Sequence, residues 1–312
     1  MNEELWQVFS RARSGARTTE QDRKEAESLI KTLLSRRYLI ETFIGRGGMG
    51  LIFVARDTED GRSVVIKMIK SSELKRNLSS TMKRFRREAI GLLQFRHPNI
   101  VTILDFDFNN DVAPYIVMEH IDGFTLFEFM KQFPSGLPLD VFMVFMEHLC
   151  SAVNLIHENG IVHRDIKPHN MMVEIHEGAF VLKLLDFGLI LFQHALNVEG
   201  PTSLTNPNEI LGTPGYMAPE QCLGHKVTPA ADVYNLGLIA FELIVGKAPF
   251  VESKLENLLV KHIHEVPPAI SKFRDDVPAS LGRVIAKSLE KDPSRRQANG
   301  QLFWQALRLA AK

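Results

Sequence analysis

Eight residues, HRDIKPHN at 163–170, set a carboxylate, an ammonium and an amide at fixed offsets: Asp165, Lys167 and Asn170. Sixteen residues after Asn170 a second carboxylate, Asp186, opens the triplet DFG. Phosphoryl transfer needs few groups: a carboxylate to orient a hydroxyl, oxygen ligands for a divalent ion, and cations on the phosphates. This stretch carries most of them. Taken alone, Asp165 and Lys167 read equally as a solvated ion pair of the ordinary surface kind. The elements around them decide between the two.

Upstream, residues 38–70 have the pattern of strands. YLIETFIG leads into the glycine turn GRGGMG (45–50), LIFVARD (51–57) returns, DGR (60–62) is a hairpin signal, and SVVIKMIK (63–70) follows. A glycine turn that opens a helix would suggest a dinucleotide site or P-loop, but no helical pattern follows Gly50. Gly45, Gly47 and Gly50 would let a hairpin tip approach phosphates closely, although many hairpin tips carry glycines. Lys67 sits mid-strand among apolar residues, where a lysine either reaches solvent or finds a partner. Residues 81–95 place Phe85, Glu88 and Leu92 on one helical stripe, so Glu88 is the natural partner. Two further strands, 100–108 and 113–121, complete a lobe of five strands and one helix, and Gly123 marks the passage into a helical region.

Residues 139–159 predict a helix on the order of 30 Å long. Gly160 ends it and delivers the chain into HRDIKPHN. MMVEI (171–175) and FVLKLLDFG (180–188) predict a hairpin that brings Asn170 and Asp186 together. Residues 189–211 form a long loop rich in Asn, Pro, Thr and Ser, closed by GTPGYMAPE (212–220). ADVYNLGLIAFELIVG (231–246) is apolar nearly all round, as a helix buried at a domain centre would be. Asp232 at its start is either a favourable N-terminal charge or a ligand for backbone groups of the 163–170 loop. Several short helices are expected over 255–311.

The 37 basic and 37 acidic residues cancel, so bulk charge gives no reason to expect a nucleic-acid or anionic-membrane partner. The two cysteines, Cys150 and Cys222, have neither metal-ligand nor disulfide-framework spacing. With no apolar leader and no stretch reaching ~20 apolar residues, a cytoplasmic location is expected. The lead segment 1–37 is polar. Leu5, Val8 and Phe9, then Leu29, Ile30, Leu33 and Leu34, have helical spacing around a break at 14–19. Two short helices capping the next domain, a segment for self-association or a regulator, and simple disorder all fit.

From about Tyr38 to Leu309 the order of glycine hairpin, strand lysine, helix glutamate, HRD, DFG, APE and buried helix with Asp resembles the eukaryotic-type protein kinase family. The flavour is that of bacterial serine/threonine kinases. The resemblance implies an α+β, bilobed fold: a small five-stranded antiparallel lobe at 38–121 and a larger, mainly helical lobe at 122–312. It implies ATP and Mg2+, with Mn2+ as the alternative ion, and protein substrates bearing Ser or Thr. Ile44, Gly45, Gly47, Gly48, Gly50, Ile52, Val65, Lys67, Met118, Glu119, Ile121 and Met172 would line the nucleotide site, with Met118 as gatekeeper. Lys67 would bind the α- and β-phosphates, held by Glu88. Asp165 would take the hydroxyl proton, Lys167 would neutralise the moving phosphoryl group, and Asn170 and Asp186 would hold the metal. Thr213 would bond near Asp165, Glu220 would pair with Arg296, and Asp232 would brace the loop. Arg164 would pair with phosphate on Thr202, Ser203 or Thr205.

Three residues depart from the family pattern. Val65 replaces a commoner alanine, Asn235 a serine or alanine, and Phe124 a glycine-like position. None of these carries phosphate chemistry. A nucleotide-binding pseudokinase would usually lack one of Lys67, Asp165 and Asp186, and a small-molecule phosphotransferase would lack Glu220 and Arg296. All five are present.

Overall fold

Alternation of inward and outward side chains from Tyr38 onward builds a six-stranded antiparallel sheet. It belongs to a computed structural model that describes residues 19–47, 50–69, 96–107, 110–176, 178–185 and 214–312. Gly48, the predicted helix at 81–95 with Glu88, and the stretch carrying Asp186, Thr202, Ser203, Thr205 and Thr213 lie outside the described residues. The chain divides into two compact units between Asp122 and Gly123.

The first unit runs α1 (Glu20–Leu29), β1 (Leu33–Leu34), β2 (Tyr38–Gly47), β3 (Gly50–Asp57), β4 (Ser63–Ile69), β5 (Ile103–Asp107) and β6 (Tyr115–Glu119). The strands lie in the order β1-β2-β3-β4-β6-β5. Phe53 and Ala55 on β3, Val64, Ile66 and Met68 on β4, and Tyr115 and Val117 on β6 meet in one core with Ala26 of α1, Leu34, Tyr38 and Ile40. Because side chains alternate along a strand, the intervening residues share the other face. Gly45 stands opposite Ile52, Ile52 opposite Lys67, and Val65 opposite Met118.

The sheet has one strand more than expected, and Leu33 and Leu34 form it. Their helical spacing is overridden because Lys31, Ser35 and Arg36 have φ of 70°, 46° and 58°. A right-handed helix cannot run through left-handed residues. Leu34 then turns into the core, only 1% exposed.

The second unit opens with β7 (Gly123–Thr125), α2 (Leu126–Met130) and α3 (Leu139–Glu158), continues through β8 (Met171–His176) and β9 (Ala179–Leu184), and ends in five helices. These are α4 (Pro219–Cys222), α5 (Pro229–Val245), α6 (Leu255–His264), α7 (Ala279–Ser288) and α8 (Gly300–Ala310). β7, β8 and β9 form a small antiparallel sheet. A Cβ on Gly123 would overlap the Val173 carbonyl, so only glycine lets β7 lie this close to β8. The sequence suggests no membrane-spanning stretch, yet α3 is long and apolar enough to cross a bilayer by length and composition. Its Phe142, Phe145, Met146, Leu149, Val153 and Ile156 are buried, and the helix packs on α5, α8 and β9. Every residue of α5 from Ala230 to Val245 is buried except Glu242, and the helix stops at Gly246, φ 81°.

Candidate active site

In the second unit the loop 163–170 is built around a carboxylate that lies outside it. Asp232, in the first turn of α5, is fully buried. It accepts the backbone N–H of His163 at 2.7 Å and of Arg164 at 2.8 Å, and contacts Nε2 of His157 at 2.9 Å. Arg164 has a φ of 67°, a conformation that costs a non-glycine residue about 1–3 kcal/mol and persists only where neighbours enforce it. Asp232 enforces it from one side. Nε2 of Gln221 enforces it from the other, donating to the Arg164 carbonyl at 2.9 Å. The Arg164 side chain is exposed and pairs with no acid among the described residues.

Asp165 follows this pinned residue. Nζ of Lys167 lies 2.9 Å from both of its carboxylate oxygens. Nδ2 of Asn170 donates to the Asp165 carbonyl and to Oδ2, each at 3.0 Å. Asn170 closes a single 3-10 turn, Pro168–Asn170, and its carbonyl takes the Leu185 N–H at 2.8 Å. Acid, cation and amide therefore form one hydrogen-bonded set on a loop with little room to shift. Both Asn170 bonds leave through the nitrogen, so its Oδ1 is the atom left to ligate a hard cation, which prefers oxygen. The other predicted metal ligand, Asp186, follows the last described residue of this stretch, Leu185.

The first unit carries the glycine hairpin and the lysine. Lys67 is 2% exposed and stands in the ladder between Ile52 and Ile116. Gly47 pairs with Gly50 where β2 meets β3. A Cβ on Gly45 would meet no atom within 4 Å among the described residues, so the sheet leaves open space on that face. Ile44 is skipped at the register shift between Phe43 and Gly45 and is 47% exposed. Glu119 can offer a ligand less than its position suggests. Its N–H is engaged by the Thr102 carbonyl at 3.0 Å, while its carboxylate accepts the Thr102 N–H at 2.8 Å. Ile121 is buried. Met172 belongs to the second unit, on β8 between Thr125 and Lys183.

Two further braces lie in the second unit. Glu220 and Arg296 form a fully buried fork, at 2.8 and 2.9 Å. Tyr216 donates its hydroxyl to Glu242, and Asn235 donates its Nδ2 to the Tyr216 carbonyl. Burial pushes the Tyr216 phenol well above its ordinary range and raises the Glu242 carboxyl too. Asn235, which in sequence looks like a minor departure, thus ties α5 to the residues just before APE. Sequence reasoning also misses His157 and Gln221. His157 sits on the last turn of the helix feeding HRD, and its ring is nearly buried, a hint only in retrospect. Gln221 directly follows Glu220, and its contact depends on how α4 folds back.

The chain as a whole is similar to known proteins. The protein kinase domain family matches residues 38–306. The chain is 37% identical over 268 residues to the serine/threonine-protein kinase PrkC of Bacillus subtilis, covering 86% of this chain and 39% of that protein. It is 34% identical to the serine/threonine-protein kinase PknB of Mycobacterium leprae, covering 84% and 41%. Against pkn3 of Myxococcus xanthus the identity is 33%, with coverages of 89% and 51%. The chain thus spans about two fifths to one half of these relatives. Among solved structures, the kinase domain of Mycobacterium tuberculosis PknI superposes with a TM-score of 0.67 at 23% identity, over 90% of this chain and 98% of that one.

Proposed function

Because the chain belongs to the protein kinase family, we propose that it is a serine/threonine protein kinase that transfers the γ-phosphoryl group of ATP to protein hydroxyls. The single observation that supports this most is the set of Asp165, Lys167 and Asn170, bonded together on a loop pinned by Asp232. In this reading the substrate oxygen attacks the γ-phosphorus, the bond to ADP breaks, and the hydroxyl proton passes to Asp165. Lys167, already within reach of Asp165, neutralises charge on the phosphoryl group in transit. Lys67 takes the α- and β-phosphates, with Glu88 as its partner. Gly45, Gly47, Gly48 and Gly50 cover the phosphates. Ile44, Ile52, Val65, Met118, Glu119, Ile121 and Met172 receive the base. Mg2+, or Mn2+ in its place, would be held by Asn170 and Asp186, and supplies charge neutralisation on the phosphate oxygens when bound.

Lys167 two residues beyond Asp165 and the GTPGY segment favour serine and threonine over tyrosine as acceptors. The exposed Arg164, with no acid beside it among the described residues, favours regulation by phosphate on Thr202, Ser203 or Thr205, with Thr205 first by its distance from GTP. Thr213 would bond near Asp165. The cytoplasm is the proposed compartment, where ATP is plentiful and where the buried thiols Cys150 and Cys222 stay reduced.

The test is incubation of the purified chain with labelled MgATP and a generic basic protein. Asp165→Asn should lower incorporation about 10²–10⁴-fold, the usual loss on removing a general base. Mapping the labelled sites by mass spectrometry should find Ser and Thr, with Thr205 among them. Equal label on wild type and Asp165→Asn would remove the assignment, and label in neither would favour a nucleotide-binding pseudokinase.

A further inference from the structure

Arg46 sits between two glycines of the hairpin, and the ladder turns it away from the Lys67 face. It pairs with Leu51, a neighbour of the core-facing Phe53 series, while Gly45 pairs with Ile52. There it meets α1. Nη1 of Arg46 lies 3.1 Å from Oδ1 and 3.0 Å from Oδ2 of Asp22. Asp22 is only 2% exposed, although it lies in the first turn of a helix near the start of the chain.

That carboxylate is fixed before Arg46 reaches it. Thr19 donates its hydroxyl to Oδ2 at 2.6 Å and its N–H at 3.1 Å, and its Oγ1 accepts the Asp22 N–H at 3.1 Å. This reciprocal capping box locks the first turn of α1. The Thr19 hydroxyl first, and Arg46 with it, holds the Asp22 carboxyl well below the usual carboxylate range. A capping box needs no arginine, so the bond to the hairpin is additional to the helix's own requirements. The hairpin, for its part, needs an anchor. Gly45, Gly47, Gly48 and Gly50 fall within six residues and leave its backbone far more conformational freedom than side-chain-bearing residues would. An arginine among them, tied to a buried acid, restrains one flank of the tip.

We propose that Asp22 is a positioning residue for nucleotide binding: by holding Arg46 it fixes the base of the glycine hairpin. Through this contact α1 tunes ATP affinity rather than the transfer step. The proposal rests on the kinase reading above. It assigns the lead segment a target inside its own unit, and Asp22 touches neither substrate nor reacting atoms.

The experiment is a double-mutant cycle of Asp22→Asn and Arg46→Gln, with KM for ATP, kcat and hydrogen exchange of residues 43–54 as readouts. Each single variant should raise KM for ATP about two- to fivefold, the range a partly exposed ion pair can carry. kcat should stay within about twofold, since uniform binding rather than transition-state stabilisation is lost. The double variant should be no worse than the worse single one, and amides of 43–54 should exchange faster while those of β4 and β6 do not. A fall in melting temperature with KM and hairpin exchange unchanged would leave Asp22 as a helix cap only and overturn the proposal. If Asp22→Asn fails to fold, Arg46→Gln decides alone, because the Arg46 side chain is over a third exposed. If wild type transfers no phosphate, the kinase reading fails, and hairpin exchange still decides whether Asp22 positions the hairpin.

Discussion

Arginine–carboxylate forks brace each of the two units internally, yet water reaches them differently. In the first unit Arg37 pairs with Asp57 and Arg46 with Asp22; each carboxylate is buried, but the arginine side chains are 34% and 37% exposed. In the second unit Arg296 and Glu220 are 0% and 4% exposed. There the guanidinium gives all five of its donors: two to Glu220 and one each to the carbonyls of Ala230, Glu290 and Lys291. A fork of the first kind can open, with water taking over the arginine. One of the second kind cannot open without stranding a charge in the interior. The elements proposed to bear the chemistry follow the same division. The 163–170 loop hangs on the buried Asp232, while the glycine hairpin is restrained through the half-exposed Arg46. One unit holds its loop fixed and the other holds its hairpin adjustable.

The contrast breaks most readily at the buried fork, where the expected effect is greatest. Arg296→Met leaves Glu220 buried and unpaired, and should lower unfolding free energy by about 3–5 kcal/mol in denaturant titration. Arg37→Met should cost less, about 1–3 kcal/mol, because Asp57 is buried but water can enter where the one-third-exposed arginine stood. Equal losses from the two would end the distinction between the units.

Acid sharpens it next. His262 is fully buried against Phe250, with Tyr234 Oη 3.1 Å from its Nδ1 and Lys291 donating to its carbonyl at 2.8 Å. Burial first, and the Lys291 charge second, push its imidazole down from 6.5 to about 4. Between these values the unfolded chain binds the proton and the folded one does not, so stability rises with pH across that window. It should fall by up to about 1.4 kcal/mol for each pH unit below 6.5. The buried acids Asp57 and Asp22 are shifted the other way, and their contributions are lost only as pH drops below their ordinary 3.8. The second unit should therefore loosen first on acidification. Urea midpoints measured from pH 7 to pH 4.5 should fall for wild type and stay flatter for His262→Phe. Parallel curves would place the acid sensitivity elsewhere.

How far the sequence speaks for itself follows the same line between local and distant causes. Strands β2 to β4, helices α3 and α5, and the spacing of Asp165, Lys167 and Asn170 are all legible, because apolar periodicity and short offsets encode them directly. The Glu220–Arg296 fork is legible only through the family resemblance, and the Asp232 brace is one of two readings of that residue until the resemblance is drawn, since 76 and 68 residues separate the partners. β1 is not legible. Two leucines read as helix until left-handed residues on either side are known, and no composition rule forces Ser35 and Arg36 into that region. His157, Gln221 and the Tyr216–Glu242 pair stay hidden because each acts through tertiary placement. In sequence Glu242 is merely the charge that interrupts an apolar run, whereas in the fold it receives a buried phenol.

The smallest effect tests whether the fixed loop is held by buried charge alone. Gln221 is the one exposed tie on Arg164 among the described residues: its Nε2 donates to the strained residue's carbonyl, while its Oε1 caps the Ala218 N–H at 3.0 Å. Gln221→Glu keeps the cap and the shape but turns the donor into an oxygen facing a carbonyl. Losing one such bond is worth about 0.5–1.5 kcal/mol, too little to move global unfolding much when α4 and the Glu220 fork remain. If the tie helps hold Arg164 left-handed, that energy should emerge in the step for which Asp165 is positioned, as a kcat lower by about two- to tenfold with KM for ATP unchanged. A kcat equal to wild type would mean that Asp232 holds the loop without help. The contrast between a buried anchor and an adjustable one would then be sharper than the hydrogen bonds alone suggest.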